Sequence, residues 1–549
     1  MFPILPKQTA CTYTRDGVRL DADVYRPDVK GDFPVLLMRQ PYGRNIASTV
    51  VYAHPSWYAA HGYIVVIQDV RGRGTSEGAF QLFAHEIADG EDSVNWAANL
   101  PGSNGNVGMY GFSYQGMTQI YAAIAKPPAL KTICPAMIGY DLYSDWAYEG
   151  NAFCLQTNLA WALQLATETA RLGKNDKAYG ALSAAARNLP LHDETPNYPE
   201  VLKLFAPESY YHDWIKYPQN TQADNYWQKL SPKTYLQNVD LPMFHIGGWF
   251  DTYLRGTLNL YQNMASRSQF HQQLLVAPWA HIPWGRKVGA GDFGVNAISP
   301  VDKMQISWFN QFLKGENTGL LDLAPVWLFE MGSNIWHNYS SLPKAFQKSY
   351  FLSSTGLAGI CEDSGSLLEN PESIANTFDV IVHDPWRPVP SLGGHAGIPA
   401  GVFERSHIDI RADVLTYTSE PLEQDLHLTG SIIVEISCFA DKPSFDLSAI
   451  FSEVKPDGQV YNVTQGYRNY QDGMNESTRK IELQPTCIRI AQGNCLRLSL
   501  SAACFPAYAM NAGTEEDISQ QKLMNSEIIT ITVNSSNSRI LLPVVAITE

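Results

Sequence analysis

Residues 107–117 read VGMYGFSYQGM, an apolar run that stops at Gly111-Phe112-Ser113-Tyr114-Gln115-Gly116 before the helix-compatible stretch MTQIYAAIAK. A serine held on a sharp strand-to-helix turn is a nucleophile elbow, and it needs small neighbours because a side chain there would strike the strand or the helix. Gly111 meets that need. The simple G-x-S-x-G pattern asks for a second glycine where Gln115 stands, and Gly116 comes one residue later. On the local pattern alone, Ser113 reads either as a nucleophile or as a helix N-cap with Gln115 in the first turn.

Partners elsewhere must decide. A serine hydroxyl is a weak nucleophile at neutral pH, so an imidazole must take its proton and a carboxylate must orient that imidazole and stabilise its charged form. In an α/β-hydrolase sheet the acid and the histidine follow the serine in that order, each after a strand. Asp251 ends MFHIGGWFD and His281 ends LLVAPWAH. Singly, each has an ordinary alternative, a turn cap for the aspartate and a satisfied core or surface residue for the histidine, one of 13 in the chain. Jointly, in order and after strands, they favour a triad. An acyl-transfer site also needs donors for the oxyanion. The backbone N–H of Tyr114 is one candidate, and Tyr42 in VLLMRQPYGRN, just past an early strand, is the other, unless it only packs its Pro-Tyr-Gly turn.

These residues need a sheet to carry them. Between about residues 10 and 140, β-type runs (PVLLM, YIVVIQ, VGMY, KTICPAMI) alternate with helix-length segments, as in a mostly parallel α/β sheet. Residues 141–236, with NLAWALQLATETARLG and NDKAYGALSAAARNL, show helical spacing and no convincing strand. LPMFHIGG and QQLLVAPW resume the first pattern, and WFNQFLKG closes it as a helix. Beyond this, APVWLFEM, SYFLSS, GSIIVEISCF, LSAIFSEV and EIITITV follow between turn residues, as in an antiparallel sandwich or jelly roll. The expected organisation is a discontinuous catalytic α/β domain over 1–140 and 237–323, a helical insertion over 141–236 and a β domain over 324–549.

The composition fits this reading. A chain of 549 residues is too long for one core. A 45% hydrophobic content against 17% charged excludes global disorder. A net charge of −15 argues against nucleic acid or anionic membrane as partner. The start, MFPILPKQTACT, lacks the order of a signal peptide, and the apolar stretches are far shorter than a bilayer span, so a cytoplasmic protein is expected. The eight cysteines show no zinc-ligand spacing, and no metal is expected.

Taken together, these motifs resemble the cocaine-esterase and X-Pro dipeptidyl-peptidase family of α/β-hydrolase serine hydrolases. Its elbow is written G-x-S-Y-x-G, which accounts for Gln115 and Gly116. DVRGRGTSEG (69–78), GWFD (248–251), PWAH (278–281) and WFNQFLKG match further family blocks, as do DPWRPVPSLGG, PDGQVYNVTQGYR and SAACFPAYAMN in the last region. The resemblance implies an α/β-hydrolase sheet with an inserted helical cap and a C-terminal jelly roll walling one side of the site. It also implies Ser113, Asp251 and His281 as triad, Tyr42 as side-chain oxyanion donor and no cofactor. Gly72, Gly74 and Gly78 lack dinucleotide-binding spacing and belong, by the resemblance, to a structural loop near the site.

Within the family, the X-Pro peptidases carry an added N-terminal helical domain, whereas here the catalytic pattern begins almost at Met1. The α-amino acid ester hydrolases place acidic residues just after the catalytic aspartate, where this chain has Thr252, Tyr253 and Leu254. The esterase-like members line the acyl pocket with aromatics, and Trp146, Trp161 and Tyr253 stand at matching places. The expectation is a small-molecule carboxylic ester with an apolar or aromatic acyl group as substrate. An amide-cleaving acylase or aminopeptidase, a biosynthetic acyltransferase and a ligand-binding protein built on the jelly roll remain the alternatives. The sequence leaves the oligomeric state open.

Overall fold

A computed structural model describes residues 1–46, 49–216, 225–370 and 376–546. Its first sheet has ten strands. They are β1 (Gln8–Tyr13), β2 (Arg19–Tyr25), β3 (Phe33–Gln40), β4 (Ile64–Asp69), β5 (Ser103–Phe112), β6 (Leu130–Ala136), and then, past the small hairpin β7 (Tyr148–Glu149) and β8 (Ala152–Phe153), β9 (Met243–Phe250) and β10 (Gln272–Ala280). After a second small hairpin, β11 (Lys287–Val288) and β12 (Gly291–Asp292), come β13 (Val326–Glu330) and β14 (Ile335–Tyr339). The spatial order is β1-β2-β4-β3-β5-β6-β9-β10-β13-β14. Every pair from β4 to β13 is parallel, and the hairpins β1–β2 and β13–β14 close the two edges.

A parallel sheet is covered on both faces, so its strands are apolar on both sides. In β3, Val35 and Leu37 join one core with Val94 of α2 (Glu86–Ala98) and Met117 of α3 (Tyr114–Ala125). The alternate residues Leu36 and Met38 join another with Tyr58 and with Trp308 of the helix over Val301–Leu313. That helix contains the WFNQFL run read as a closing helix.

The insertion between β6 and β9 is helical, with α4 (Leu155–Leu172) and α5 (Asp176–Arg187) as its longest members and the hairpin β7–β8 at its root. Leu159, Leu163, Leu182 and Trp214 of this cap share one continuous core with Leu37, Met109 and Ile120 of the sheet and α3. Among the described residues the C-terminal all-β domain has twelve paired strands, from Phe346–Ser354 to Ile529–Val544. Its Tyr417, Leu428, Phe451 and Leu498 share a core with Trp249, Leu258, Tyr261 and Val276 of the catalytic domain.

In two places the strands lie elsewhere than the sequence suggested. The run APVWLFEM, grouped with the β domain on its apolar character, extends the catalytic sheet, with Leu274, Leu275 and Val276 of β10 opposite Val326, Trp327 and Leu328. The helical insertion also holds the β7–β8 pair, too short to leave a periodic signal.

Candidate active site

Strands β3, β5, β9 and β10 run parallel, so their C-terminal ends converge on one edge of the sheet, where open α/β sheets bind ligands. Tyr42, Ser113, Asp251 and His281 each follow one of those ends. Ser113 sits between β5 and α3 at φ 60°, ψ −128°, a left-handed conformation rare for a residue with a side chain. Its neighbours explain the displaced glycine. A Cβ on Gly111 would lie 2.5 Å from Cβ of Gln115, and one on Gly116 would lie 2.4 Å from Cγ2 of Ile138 and 2.8 Å from the Ala136 carbonyl. The close approach of helix to sheet thus falls at the third residue after the serine, and Gln115 is free to carry a side chain.

Asp251 is fully buried at the end of β9, and His281 stands half-buried after β10. Their side chains meet, with His281 Nδ1 2.8 Å from Asp251 Oδ1. The imidazole is flanked by Phe112 and Tyr253, with ring centroids at 5.3 and 5.0 Å. Nδ1 directed at the carboxylate leaves Nε2 as the free basic nitrogen.

Tyr42 lies on the loop after β3, its backbone N–H donating to Oε1 of Gln40 at 2.9 Å. The phenol oxygen accepts from Trp161 Nε1 at 3.2 Å, and Ser113 is its second hydrogen-bonding neighbour. Burial pushes the phenol up to about 12, so it keeps its proton.

Tyr114 opens α3, where a backbone N–H has no intrahelical acceptor and the helix dipole is positive. Its side chain points the other way. The hydroxyl donates to Glu86 Oε1 at 2.7 Å, the ring stacks on Phe83 at 4.8 Å, and Glu86 is paired with the buried Arg39 at 2.5 Å. This anchor beneath the elbow has no motif of its own, because its polar members Tyr114, Glu86 and Arg39 come from α3, α2 and β3.

A pocket of about 360 Å³ joins these groups, lined among others by Tyr42, Ser113, Trp146, Trp161, Tyr253 and His281. The aromatic rings touch, with Trp146 to Tyr253 at 4.2 Å and Trp146 to Trp161 at 5.3 Å. No Asp, Glu, Lys or Arg is among the described residues that line it. Thr252 turns to the β domain, donating to the His395 carbonyl at 2.7 Å, and Leu254 is buried at the start of the helix α9 (Leu254–Arg267). The β domain contributes Ile398 to the pocket wall, a residue in an irregular loop that gave no sequence signal.

The glycine-rich block ties the parts together. Asp69 accepts from the backbone N–H of Arg44 at 2.6 Å and from its guanidinium at 2.5 Å, fixing the loop that carries Tyr42. A Cβ on Gly74, at φ 56°, would fall 2.0 Å from the Asp69 carboxylate, so only glycine fits. Arg73, fully buried, reaches into the cap, donating to the Leu165 carbonyl and to Thr169 of α4 with its guanidinium over the Phe80 ring at 4.0 Å. Burial pulls this guanidinium down to about 10. No helix among the described residues is long and apolar enough to cross a membrane.

Comparison with known proteins agrees with this architecture. Residues 16–283 match the X-Pro dipeptidyl-peptidase (S15) family, and residues 318–540 match the X-Pro dipeptidyl-peptidase C-terminal non-catalytic domain. A cocaine esterase from Rhodococcus sp. (strain MB1 Bresler) is 29% identical over 93% of this chain and 92% of its own length. Among solved structures, an aminopeptidase from a marine-sediment Thaumarchaeota archaeon superposes with TM-score 0.82 at 20% identity, covering 99% of this chain and 97% of that one. An α-amino acid ester hydrolase superposes with TM-score 0.78 at 21% identity, with the same coverages. The chain belongs to the cocaine-esterase and X-Pro dipeptidyl-peptidase family of serine hydrolases.

Proposed function

We propose that this enzyme cleaves a carboxylic ester through an acyl-enzyme on Ser113. The observation that carries the reading is the 2.8 Å bond from His281 Nδ1 to the buried Asp251, with the imidazole bordering the same pocket as Ser113. Ser113 Oγ attacks the acyl carbon while His281 Nε2 takes its proton. The oxyanion accepts hydrogen bonds from the Tyr42 hydroxyl and the Tyr114 N–H. Collapse breaks the bond to the alkoxide, which leaves with the proton from His281. Water then attacks the acyl-enzyme by the same route in reverse, releasing the acid and restoring Ser113. Asp251 orients the imidazole and stabilises its protonated form.

The acyl group we propose is uncharged and apolar or aromatic. Trp146, Trp161 and Tyr253 offer ring faces and edges, whereas an α-ammonium entering a pocket with no carboxylate among its described lining residues would lose hydration uncompensated. Benzoyl or phenylacetyl esters should exceed the matching α-amino esters in kcat/KM by about tenfold or more, a difference of about 1.4 kcal/mol. Measurement of both series at a pH where the amine is charged tests this, and a preference for the charged series would overturn the acyl-site reading. Ester and amide substrates sharing one acyl group separate esterase from acylase. The eight cysteines are all free, which supports a reducing compartment such as the cytoplasm.

A further inference from the structure

Asp251 is held by its backbone. His281 engages its Oδ1, while its buried Oδ2 has no hydrogen-bond partner among the described residues, so no second side chain fixes the carboxylate. The position of the acid therefore depends on the main chain of residues 249–252, and the β domain grips that segment. Gln484 Nε2 donates to the carbonyls of both Trp249 and Asp251, each at 3.0 Å. Gln484 lies between the strands Ser477–Glu482 and Thr486–Ile490 and is 1% exposed. Its own backbone is pinned on both sides, the N–H donating to the Gln465 carbonyl at 2.9 Å and the carbonyl accepting from Thr464 Oγ1 at 2.6 Å. Two carbonyl acceptors fix which end of the amide faces the acid loop. The other end, Oε1, is buried without a partner among the described residues, a cost that packing alone does not explain.

We propose that Gln484 is a positioning residue for the Asp251–His281 pair, through which the domain matched to a non-catalytic family contributes to catalysis. The proposal rests on the reading of Ser113, His281 and Asp251 as the triad. Misplacement of a catalytic group by about an ångström can cost about a hundredfold in rate. Gln484→Met keeps the side-chain length and removes the donor. Its kcat, measured per serine titrated with a fluorophosphonate, should fall about tenfold or more, with KM changed less than about twofold. Combined with Asp251→Asn, the same substitution should cost less than about twofold, since a residue acting through Asp251 has little left to position. Gln484→Glu, which fills the same space but sets an acceptor against two carbonyls, provides the cycle if the Met variant does not fold. An unchanged kcat per titrated serine, or an equal loss in both backgrounds, would overturn the proposal. Failure of the wild-type enzyme to take the label at Ser113 would instead overturn the triad on which it stands.

Discussion

Two imidazoles in this molecule meet a carboxylate at 2.8 Å, His281 with Asp251 and His395 with Glu149. The first pair borders a cavity beside a serine in a left-handed turn. The second lies in the wall between the cap root, α9 and the β domain, where Tyr508 donates to the same Glu149 oxygen and Arg255 pairs with the other at 2.8 Å. Burial alone would raise Glu149, yet Arg255 and His395 together hold it well below the usual carboxylate range. Its charge is consumed by fixed partners. Among the described residues Asp251 has a single side-chain partner, and that partner borders the pocket. The same contact thus serves structure where the carboxylate also meets a guanidinium and a phenol, and, on the function proposed above, chemistry where the imidazole borders the same pocket as Ser113.

The comparison breaks if the first pair is not essential. Ser113→Ala and His281→Ala should each lower turnover by about a thousandfold or more while preserving the fold, and a folded Ser113→Ala variant retaining more than about a tenth of the wild-type rate would remove the assignment. At the second pair the loss should appear in stability instead. Glu149→Gln leaves the Arg255 guanidinium without its counter-charge and should destabilise by about 3 to 5 kcal/mol, read from denaturant unfolding, with kcat per folded molecule changed less than about tenfold. A stable but inactive variant would reverse the roles of the two pairs.

Tyr42→Phe sharpens the chemical side. Loss of the phenol donor should slow acylation about a hundredfold, about 3 kcal/mol, with little change in substrate binding, and pre-steady-state kinetics would separate the two. A third imidazole supplies the control without a carboxylate. His245 on β9 is wholly buried with Gln272 as its partner, and burial pulls it down to about 4. Its neutral form is favoured in the folded state, so the stability it confers is complete above about pH 6.5 and is lost as pH falls toward about 4. Between pH 6.5 and 5.5 the loss should be about 1 kcal/mol, and His245→Asn should flatten that slope in unfolding measurements.

The catalytic half was legible because its chemistry follows apolar strands in a fixed order. IVVIQ, LPMFHIGG and QQLLVAPW are long enough to mark β4, β9 and β10, and the residue after each end is readable by position. The edge hairpin β1–β2 was not, since RLDADVY mixes charge with apolar residues and its Asp23 is buried against Arg44 and Lys7, a pairing visible only in three dimensions. APVWLFEM was read as a strand and joined to the wrong sheet, because an apolar run carries no record of its partner. Ile398 and Gln484 left no trace for a related reason. Each reaches the site from a loop of the β domain, by contacts that no local pattern encodes.

The cores shared across the sheet set how the molecule comes apart. The cap and one face of the catalytic sheet form one apolar body, and the β domain is fused through Trp249 and Leu258 to the strand and helix that flank Asp251, and through Val276 to β10. The cap and the β domain, separable from the catalytic sheet in the sequence, are therefore each joined to it by a shared apolar core. A calorimeter should record one cooperative endotherm, and limited proteolysis should release neither cap nor β domain intact. For protein engineering, the β domain is not a detachable module, and replacing it means rebuilding the floor beneath the acid.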